Sequence, residues 1–134
     1  MQHGTNVWHS GLGGAGRPKE AIGLIEKAMR LNPRYPSYYL VNLGIAYLAD
    51  GRCEEAIIPL KKVLTLTPNF TPAHTNLAIC YVELGRLEEA KASAATVMKL
   101  NPQFSLEAVR QIAPIEDPAL LERQIAALRK AGLQ

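Results

Sequence analysis

The sequence predicts an all-α protein, a right-handed superhelix of antiparallel helix pairs. It would contain about 2.5 repeats, closed by C-terminal capping helices. An internal repeat predicts this fold, because the segment Leu43–Phe70 aligns with Leu77–Phe104 at a constant offset of 34 residues. A partial copy, GRPKEAIGLIEKAMRLNP, comes first, at residues 16–33. Periods of this length are typical of stacked helical hairpins.

Glycine and proline mark the same points in each copy. Gly51 and Gly85 fall at matching positions, and Gly16 aligns with both. Only glycine readily adopts the left-handed conformation that ends a helix, so we expect a turn between two helices there. Pro68 and Pro102 close the two complete units, because proline cannot continue the preceding helix.

The helices of each unit carry apolar stripes at helical spacing. In the first unit, one stripe comprises Leu40, Leu43, Gly44 and Tyr47, and the facing stripe comprises Ala56, Leu60, Val63 and Leu64. The small Gly44 would let the partner helix approach closely. Pro59 stands inside the second helix, where we expect it either to kink the helix or to be tolerated near its first turns.

The N-terminal residues 1–16 include GLGGAG, a glycine pattern that also occurs in dinucleotide-binding loops. Such a loop needs a strand before it and an acidic residue roughly 20 positions after it. Neither is present, so we interpret residues 1–16 as a flexible Gly-rich leader. Residues 17–33 then form a half repeat without its first helix, which leaves an apolar face of Ala21, Ile22, Ile25, Ala28 and Met29. The leader, a second copy docking through residues 17–30, or an upstream part of a longer protein could cover it, and we favour the last.

The C-terminal residues 105–134 depart from the repeat. Residues 105–114 take the place of a further first helix, and DPALLERQIAALRKAG predicts another helix. Asp117 is its expected N-cap, Pro118 its first residue, and Gly132 follows its end. Its apolar stripe comprises Leu120, Leu121, Ile125 and Leu128. We expect these helices to cover the last apolar face of the stack.

Composition excludes several classes of function. The net charge of +3 comes from residues 1–36, which hold five basic and two acidic residues, whereas residues 37–134 hold ten of each. This distribution provides no stripe of basic side chains that could bind the phosphates of a nucleic acid. The three histidines are scattered and the two cysteines lack metal-ligand spacing, so we expect no metal site and reduced thiols. The sequence has neither a membrane-spanning apolar run nor a signal peptide, and we expect a cytoplasmic protein.

Enzymatic activity is not predicted, and no cofactor is expected. Glu54 and Glu55 recur as Glu88 and Glu89 at the starts of second helices, where negative charge stabilises the helix dipole. We interpret them as structural. The serines have no histidine and aspartate in an arrangement that would activate them.

Residues 17–104 resemble the tetratricopeptide repeat (TPR) family. The family's residue types occur together in one unit as Leu43, Gly44, Tyr47, Ala56 and Pro68, and in the next as Leu77, Ala78, Tyr81, Ala90 and Pro102. The family's tryptophan is missing, and Leu40 and His74 take its positions. The resemblance implies a scaffold or adaptor that binds proteins.

The segment NPQFSLEAVRQIAPIEDPALLERQIAALRKAGL is also similar to the TPR region of bacterial class III adenylate and guanylate cyclases. This resemblance implies that the chain is an accessory part of a larger enzyme. Nothing in the chain resembles the metal-binding aspartates or the purine-reading residues of a cyclase.

The first helices of the two complete units have a second apolar face, opposite the packing stripe. It comprises Tyr38, Val41, Ile45 and Leu48 in one helix and Pro72, Thr75, Ile79 and Val82 in the other. The family resemblance implies that this face lines the concave surface, where a partner peptide binds. The alternative is that the capping helix or a neighbouring molecule covers the face.

Asn42, Asn76 and Arg110 follow one another at intervals of 34 residues beside this face. Asparagine can both donate to and accept from a peptide backbone, and arginine can hold a carboxylate. The alternative is that all three are ordinary solvated helix residues.

Chaperone-binding members of the family hold a C-terminal carboxylate with a five-residue clamp. Asn76 and Arg110 match two of its positions, but Val41, Ile45 and Leu106 fall on the other three. Apolar residues cannot replace the clamp's polar ones, so we expect an extended, partly apolar peptide instead. The alternative function is a structural module that forms a homodimer or docks onto an attached enzyme.

Overall fold

The computed structural model describes residues 18–112 and 117–134, which form seven α-helices and no strand. In chain order the helices are α1 Pro18–Leu31, α2 Tyr38–Ala49, α3 Cys53–Leu66, α4 Thr71–Glu83, α5 Leu87–Leu100, α6 Leu106–Ile112 and α7 Pro118–Lys130. This is the all-α fold that the repeat predicts.

The helices pack as two successive pairs. Helix α2 packs against α3, and α4 against α5, while α1 lies against α2 and α3 against α4. Every residue from Leu40 to Leu48 in α2 is buried, because this helix has neighbours on several sides. The result is one continuous apolar core from α1 to α7.

The turns inside the two pairs have the same backbone geometry. Gly51 has a φ of 78° and Gly85 a φ of 77°, as the recurring glycines predict. The N–H of the next residue reaches back across each turn, from Arg52 to the carbonyl of Tyr47 at 2.8 Å and from Arg86 to that of Tyr81 at 2.7 Å. Such a bond ends a helix on a left-handed residue. Gly16, predicted to form the same turn, lies outside the described residues.

Each second helix begins with an arginine–glutamate pair. Arg52 donates from Nε to Glu55 Oε1 at 2.7 Å, and Arg86 donates likewise to Glu89 at 2.6 Å. These hydrogen bonds lower the pKa of both carboxyl groups. The same guanidinium groups lie over the rings of the preceding tyrosines. Glu55 and Glu89, two of the four acidic residues at these helix starts, therefore have a structural part.

Pro59 is tolerated inside its helix. Helix α3 continues for a further seven residues, to Leu66, and Pro59 is buried. Pro59 therefore does not end its helix.

Helix α1 is only partly covered. Ala21 and Ile22 are buried, and Ile25 and Met29 are half-buried against the core. The face expected to lie bare is therefore more enclosed than its sequence suggests, because α1 packs on α2. The exposed apolar side chains of this helix are instead Leu24, 49% exposed, and Leu31, 76% exposed.

Helix α7 has the expected ends. The backbone N–H of Ala119 donates to Asp117 Oδ1 at 3.0 Å, which caps the N-terminus, and Gly132 has a φ of 113°. Gln134 lies beside the start of α6, where Leu106 donates its N–H to the carbonyl of Gln134 at 3.0 Å. Among the described helices, none has the length and apolar character needed to cross a membrane.

Candidate partner-binding site

The predicted site residues occupy helices α2, α4 and α6. The apolar ones on α2 and α4 are largely enclosed: Val41, Ile45, Leu48 and Ile79 are buried, and Thr75 and Val82 are half-buried. Tyr38, at the start of α2, is 36% exposed. We call this set, together with Asn42, Asn76 and Arg110, the concave face.

The two asparagines are buried. Asn42 is 8% exposed and Asn76 is 7% exposed, and among the described residues they are the two buried polar side chains. Asn76 donates from Nδ2 to the carbonyl of Pro72, one turn earlier, at 2.8 Å. Thr75 similarly donates to the carbonyl of Thr71 at 3.1 Å. The concave face therefore presents amides among apolar side chains.

Arg110 is bound within the chain. Its guanidinium forms an ion pair with Glu122 of α7. The sequence predicts a carboxylate partner for this arginine, and a carboxylate of the protein's own C-terminal helix stands beside it. Sequence reasoning missed Glu122 because no repeat spacing relates it to residue 110.

Helix α7 lies on the concave face. It packs against α4 and α6, both first helices. Its residues Leu120, Arg123 and Gln124 line a small cavity together with Leu48 and Ile79. Two of the predicted apolar site residues are therefore next to the capping helix, at the C-terminal ends of α2 and α4.

Glu83 and Arg123 fix the position of α7 on α4. Arg123 donates from Nε to Glu83 Oε2 at 3.1 Å and from Nη2 to Oε1 at 2.5 Å. The Glu83 carboxylate raises the pKa of Arg123 as a result. Neither residue was predicted to belong to the site. The two are 40 positions apart, outside any periodicity, and only their opposite charges could have suggested the pair.

Three tyrosines gather where the chain enters α2. The rings of Tyr35 and Tyr39 are stacked with centroids 6.1 Å apart, and Tyr38 meets Tyr39 edge-on at 5.0 Å. Partial burial and the neighbouring Tyr39 raise the pKa of Tyr38. The cluster places an aromatic surface at the opposite end of α2 from the part that faces α7.

The remaining clamp positions are apolar and enclosed. Val41, Ile45 and Leu106 are 7%, 8% and 4% exposed. They offer a carboxylate no hydrogen-bond donor from their side chains. In the part of the chain that the structure describes, no group of three or more potential ligand side chains could hold a metal ion.

Stacked antiparallel helix pairs of this kind define a class of protein, the α-helical repeat scaffold. Within that class, the model of the tetratricopeptide repeat family matches residues 47–113, half of the chain, and the chain belongs to this family. Such repeats generally mediate protein–protein interaction and are typically non-catalytic scaffolds.

Among solved structures, the chain is similar to TTC0263, a thermophilic TPR protein of Thermus thermophilus. The two are 28% identical in sequence and superpose with a TM-score of 0.56. The match covers 84% of this chain and 50% of that chain, so it spans half the length of TTC0263. No curated protein matches the sequence.

Proposed function

We propose that the chain is a non-catalytic interaction module that holds an extended segment of a partner protein on its concave face. The contact residues are Tyr38, Val41, Asn42, Ile45, Leu48, Thr75, Asn76, Ile79, Val82 and Arg110. The observation that carries the proposal is the position of Asn42 and Asn76, at equivalent places of consecutive repeats and beside apolar side chains of α2 and α4.

A buried amide is costly unless its polar atoms are hydrogen-bonded. Asn76 uses Nδ2 for the carbonyl of Pro72, and within the described residues its Oδ1 receives no hydrogen bond. An asparagine of this kind can accept from a peptide N–H whatever the peptide's side chains are. Apolar neighbours such as Ile79 would hold the side chains of the same peptide. Together they support binding of an extended, partly apolar segment.

Selection from a random peptide library tests this proposal. Peptides selected on the native chain should bind an Asn42→Ala/Asn76→Ala variant at least about tenfold more weakly, a loss of about 1.4 kcal/mol. Asn69→Ala, in an exposed turn, is the matched control and should leave the affinity unchanged. Equal affinity for the native chain and the double variant would show that the asparagines do not contact the peptide.

A structural module remains the second candidate, because Leu24 is exposed on α1. A homodimer through residues 17–30 would bury it. Light scattering should then give a molar mass that rises with concentration, and Leu24→Glu should abolish the rise. Ile58→Glu, a change at another exposed apolar residue, should not. A monomer at all concentrations would exclude the homodimer.

The C-terminal resemblance supports one form of this second candidate, an accessory region of a larger enzyme such as a nucleotide cyclase.

The compartment we propose is the cytoplasm, because Cys53 and Cys80 are free and buried thiols of a kind that a reducing environment preserves. Expression of the full gene product and its fractionation would test both statements.

A further inference from the structure

Helix α7 occupies the concave face through charges on both of its flanks. Glu122 pairs with Arg110 of α6, and Arg123 pairs with Glu83 of α4. Consecutive residues of a helix point about 100° apart, so these two side chains leave α7 toward different neighbours. Because Glu83 is acidic and Arg110 is basic, a helix bound here places its arginine toward α4 and its glutamate toward α6.

Between these charges, α7 contributes an apolar stripe. Ile125 is fully buried and Leu128 is 1% exposed, while Leu121 is half-buried against the same core. The three positions follow the spacing i, i+4 and i+7, which places them on one side of a helix. The surface formed by α4 and α6 is therefore complementary, in shape and in charge, to a helix that carries Leu-Glu-Arg-x-Ile-x-x-Leu.

The ion pairs that flank the stripe lie near water. The side chain of Arg123 is 63% exposed and that of Glu122 is 57% exposed. Exposed pairs of this kind orient a contact more than they stabilise it, whereas the buried apolar residues supply most of the stabilisation. A helix from another molecule can satisfy the same requirements if it carries the same pattern.

We propose that the α4–α6 surface is a docking site for an amphipathic helix, and that a partner protein presents a helix of the α7 pattern which competes with α7 for it. This inference rests on the proposed function only in placing a partner on the concave face, and it concerns the end of that face which α7 covers rather than the two asparagines. At this end of the face an extended strand would not reproduce the contacts of α7, because successive side chains of a strand alternate between faces and would separate the glutamate and arginine from a common apolar side. The tethered α7 acts at an effective concentration of the order of millimolar, so a partner helix binds only in competition with it.

The test uses a fluorescein-labelled peptide of residues 117–134 as the probe. In a Glu122→Arg/Arg123→Glu variant of the full chain, α7 is repelled by Arg110 and Glu83. The native peptide should bind this variant at least about tenfold more tightly than it binds the native chain, because the competitor is weakened. A peptide with the same two reversals should not bind.

Arg129→Glu is the matched control, because Arg129 is exposed on α7 and makes no ion pair within the described residues. It should leave peptide affinity at the native level. Equal affinity of the native peptide for the charge-reversed chain and the native chain would overturn the proposal. So would equal binding of the native and reversed peptides.

The native chain provides a second measurement if the reversed variant loses its helicity. A large excess of unlabelled native peptide should accelerate hydrogen exchange of the α7 amides, and the reversed peptide should not. Unchanged exchange with both peptides would contradict competition. The library selection instead tests whether Asn42 and Asn76 contact a peptide. A negative result for the helix site would therefore leave the result of the library selection unchanged, and the two proposals can fail separately.

Discussion

The backbone of Gly44 lies directly against the side chain of Leu60. A Cβ atom built on residue 44 would stand 2.6 Å from Leu60 Cγ, far closer than two carbon atoms can pack. One repeat later the same two positions hold Ala78 and Ala94, which are both buried. The two repeats thus join their helices with different combinations of small and large residues.

Gly44→Ala should lower the free energy of unfolding by about 1–3 kcal/mol, because the added methyl group forces Leu60 to move. Leu60→Ala should cost about 2–5 kcal/mol through the cavity that it leaves. The double variant reproduces the pair of alanines of the next repeat, and its loss should be at least about 1 kcal/mol less than the sum. Urea unfolding followed by circular dichroism measures all three.

Gly23→Ala is the control for this series. No atom lies within 4 Å of the position that its Cβ would take, and the residue stands inside α1. Alanine should therefore be neutral or stabilise by up to about 1 kcal/mol. Additive losses in the Gly44 and Leu60 variants would mean that the two residues do not interact as the structure indicates.

Gly51 should tolerate asparagine better than valine. Its φ of 78° lies in the left-handed region, which asparagine enters at moderate cost and a β-branched residue enters poorly. No neighbouring atom lies within 4 Å of a Cβ at this position, so the difference reports the backbone alone. Thermal unfolding should rank the chains as native, then Asn, then Val. The same ranking at Gly85 is the replicate, and equal losses for Asn and Val would contradict the argument.

Tyr47→Phe should destabilise the fold more than Tyr81→Phe. The hydroxyl of Tyr47 donates to Glu26 Oε2 at 2.8 Å, and a hydrogen bond to a charged group is worth about 1.5–3 kcal/mol. Tyr81 stands at the equivalent position, and its hydroxyl makes no hydrogen bond within the described residues. Chemical unfolding of the two variants measures the difference. Equal losses would mean that the bond to Glu26 contributes nothing.

The same tyrosine makes stability depend on alkaline pH. Burial, with the hydrogen bond to Glu26, raises the pKa of Tyr47 above its ordinary value of 10.0. Its contribution is therefore complete below pH 10 and is lost as pH rises through the raised pKa of the folded state. The stability of the native chain should fall toward that of Tyr47→Phe above about pH 10. A constant difference between the two chains from about pH 8 to the alkaline limit would contradict this.

The two thiols should differ in reactivity. Cys53 begins helix α3 and is 6% exposed, whereas the neighbouring Cys53 and burial raise the pKa of the Cys80 thiol. Cys80 is also fully buried. Iodoacetamide should therefore label Cys53 first in the native chain and both thiols at equal rates in urea. Mass spectrometry of digests gives the order, and earlier labelling of Cys80 would show that the assignment is wrong.

The sequence predicted the parts of this fold that recur. The turn at Gly51 could be inferred because Gly85 repeats it, and the ends of α7 could be inferred because Asp117 and Gly132 have strong local preferences. The position of α7 could not be inferred. An apolar stripe such as that of Ile125 and Leu128 fits any apolar surface, and the pair of Arg123 with Glu83 has no spacing that would reveal it.

The candidate site shows the same division. Helical spacing predicted a second apolar face on α2 and α4, but the burial of Asn42 and Asn76 depends on the neighbouring helices that cover them, and spacing carries no information on those neighbours. Arg110 was expected to bind a carboxylate, and the presence of Glu122 beside it is a property of the C-terminal hairpin alone. Tertiary contacts between non-repeated segments are therefore where the sequence was least informative.

The environments of Tyr47 and Tyr81 differ in one further respect. Beside Tyr47 the preceding helix carries Glu26, whereas the preceding helix beside Tyr81 carries Lys61, with Nζ 5.9 Å from the ring centroid. A carboxylate accepts a hydrogen bond from the hydroxyl of Tyr47, whereas an ammonium group lies near the ring of Tyr81. Neighbouring repeats that are otherwise alike therefore carry opposite charges at their junctions. During folding, a repeat that stacked one unit out of step would bring the wrong charge to each tyrosine and would lose both contacts.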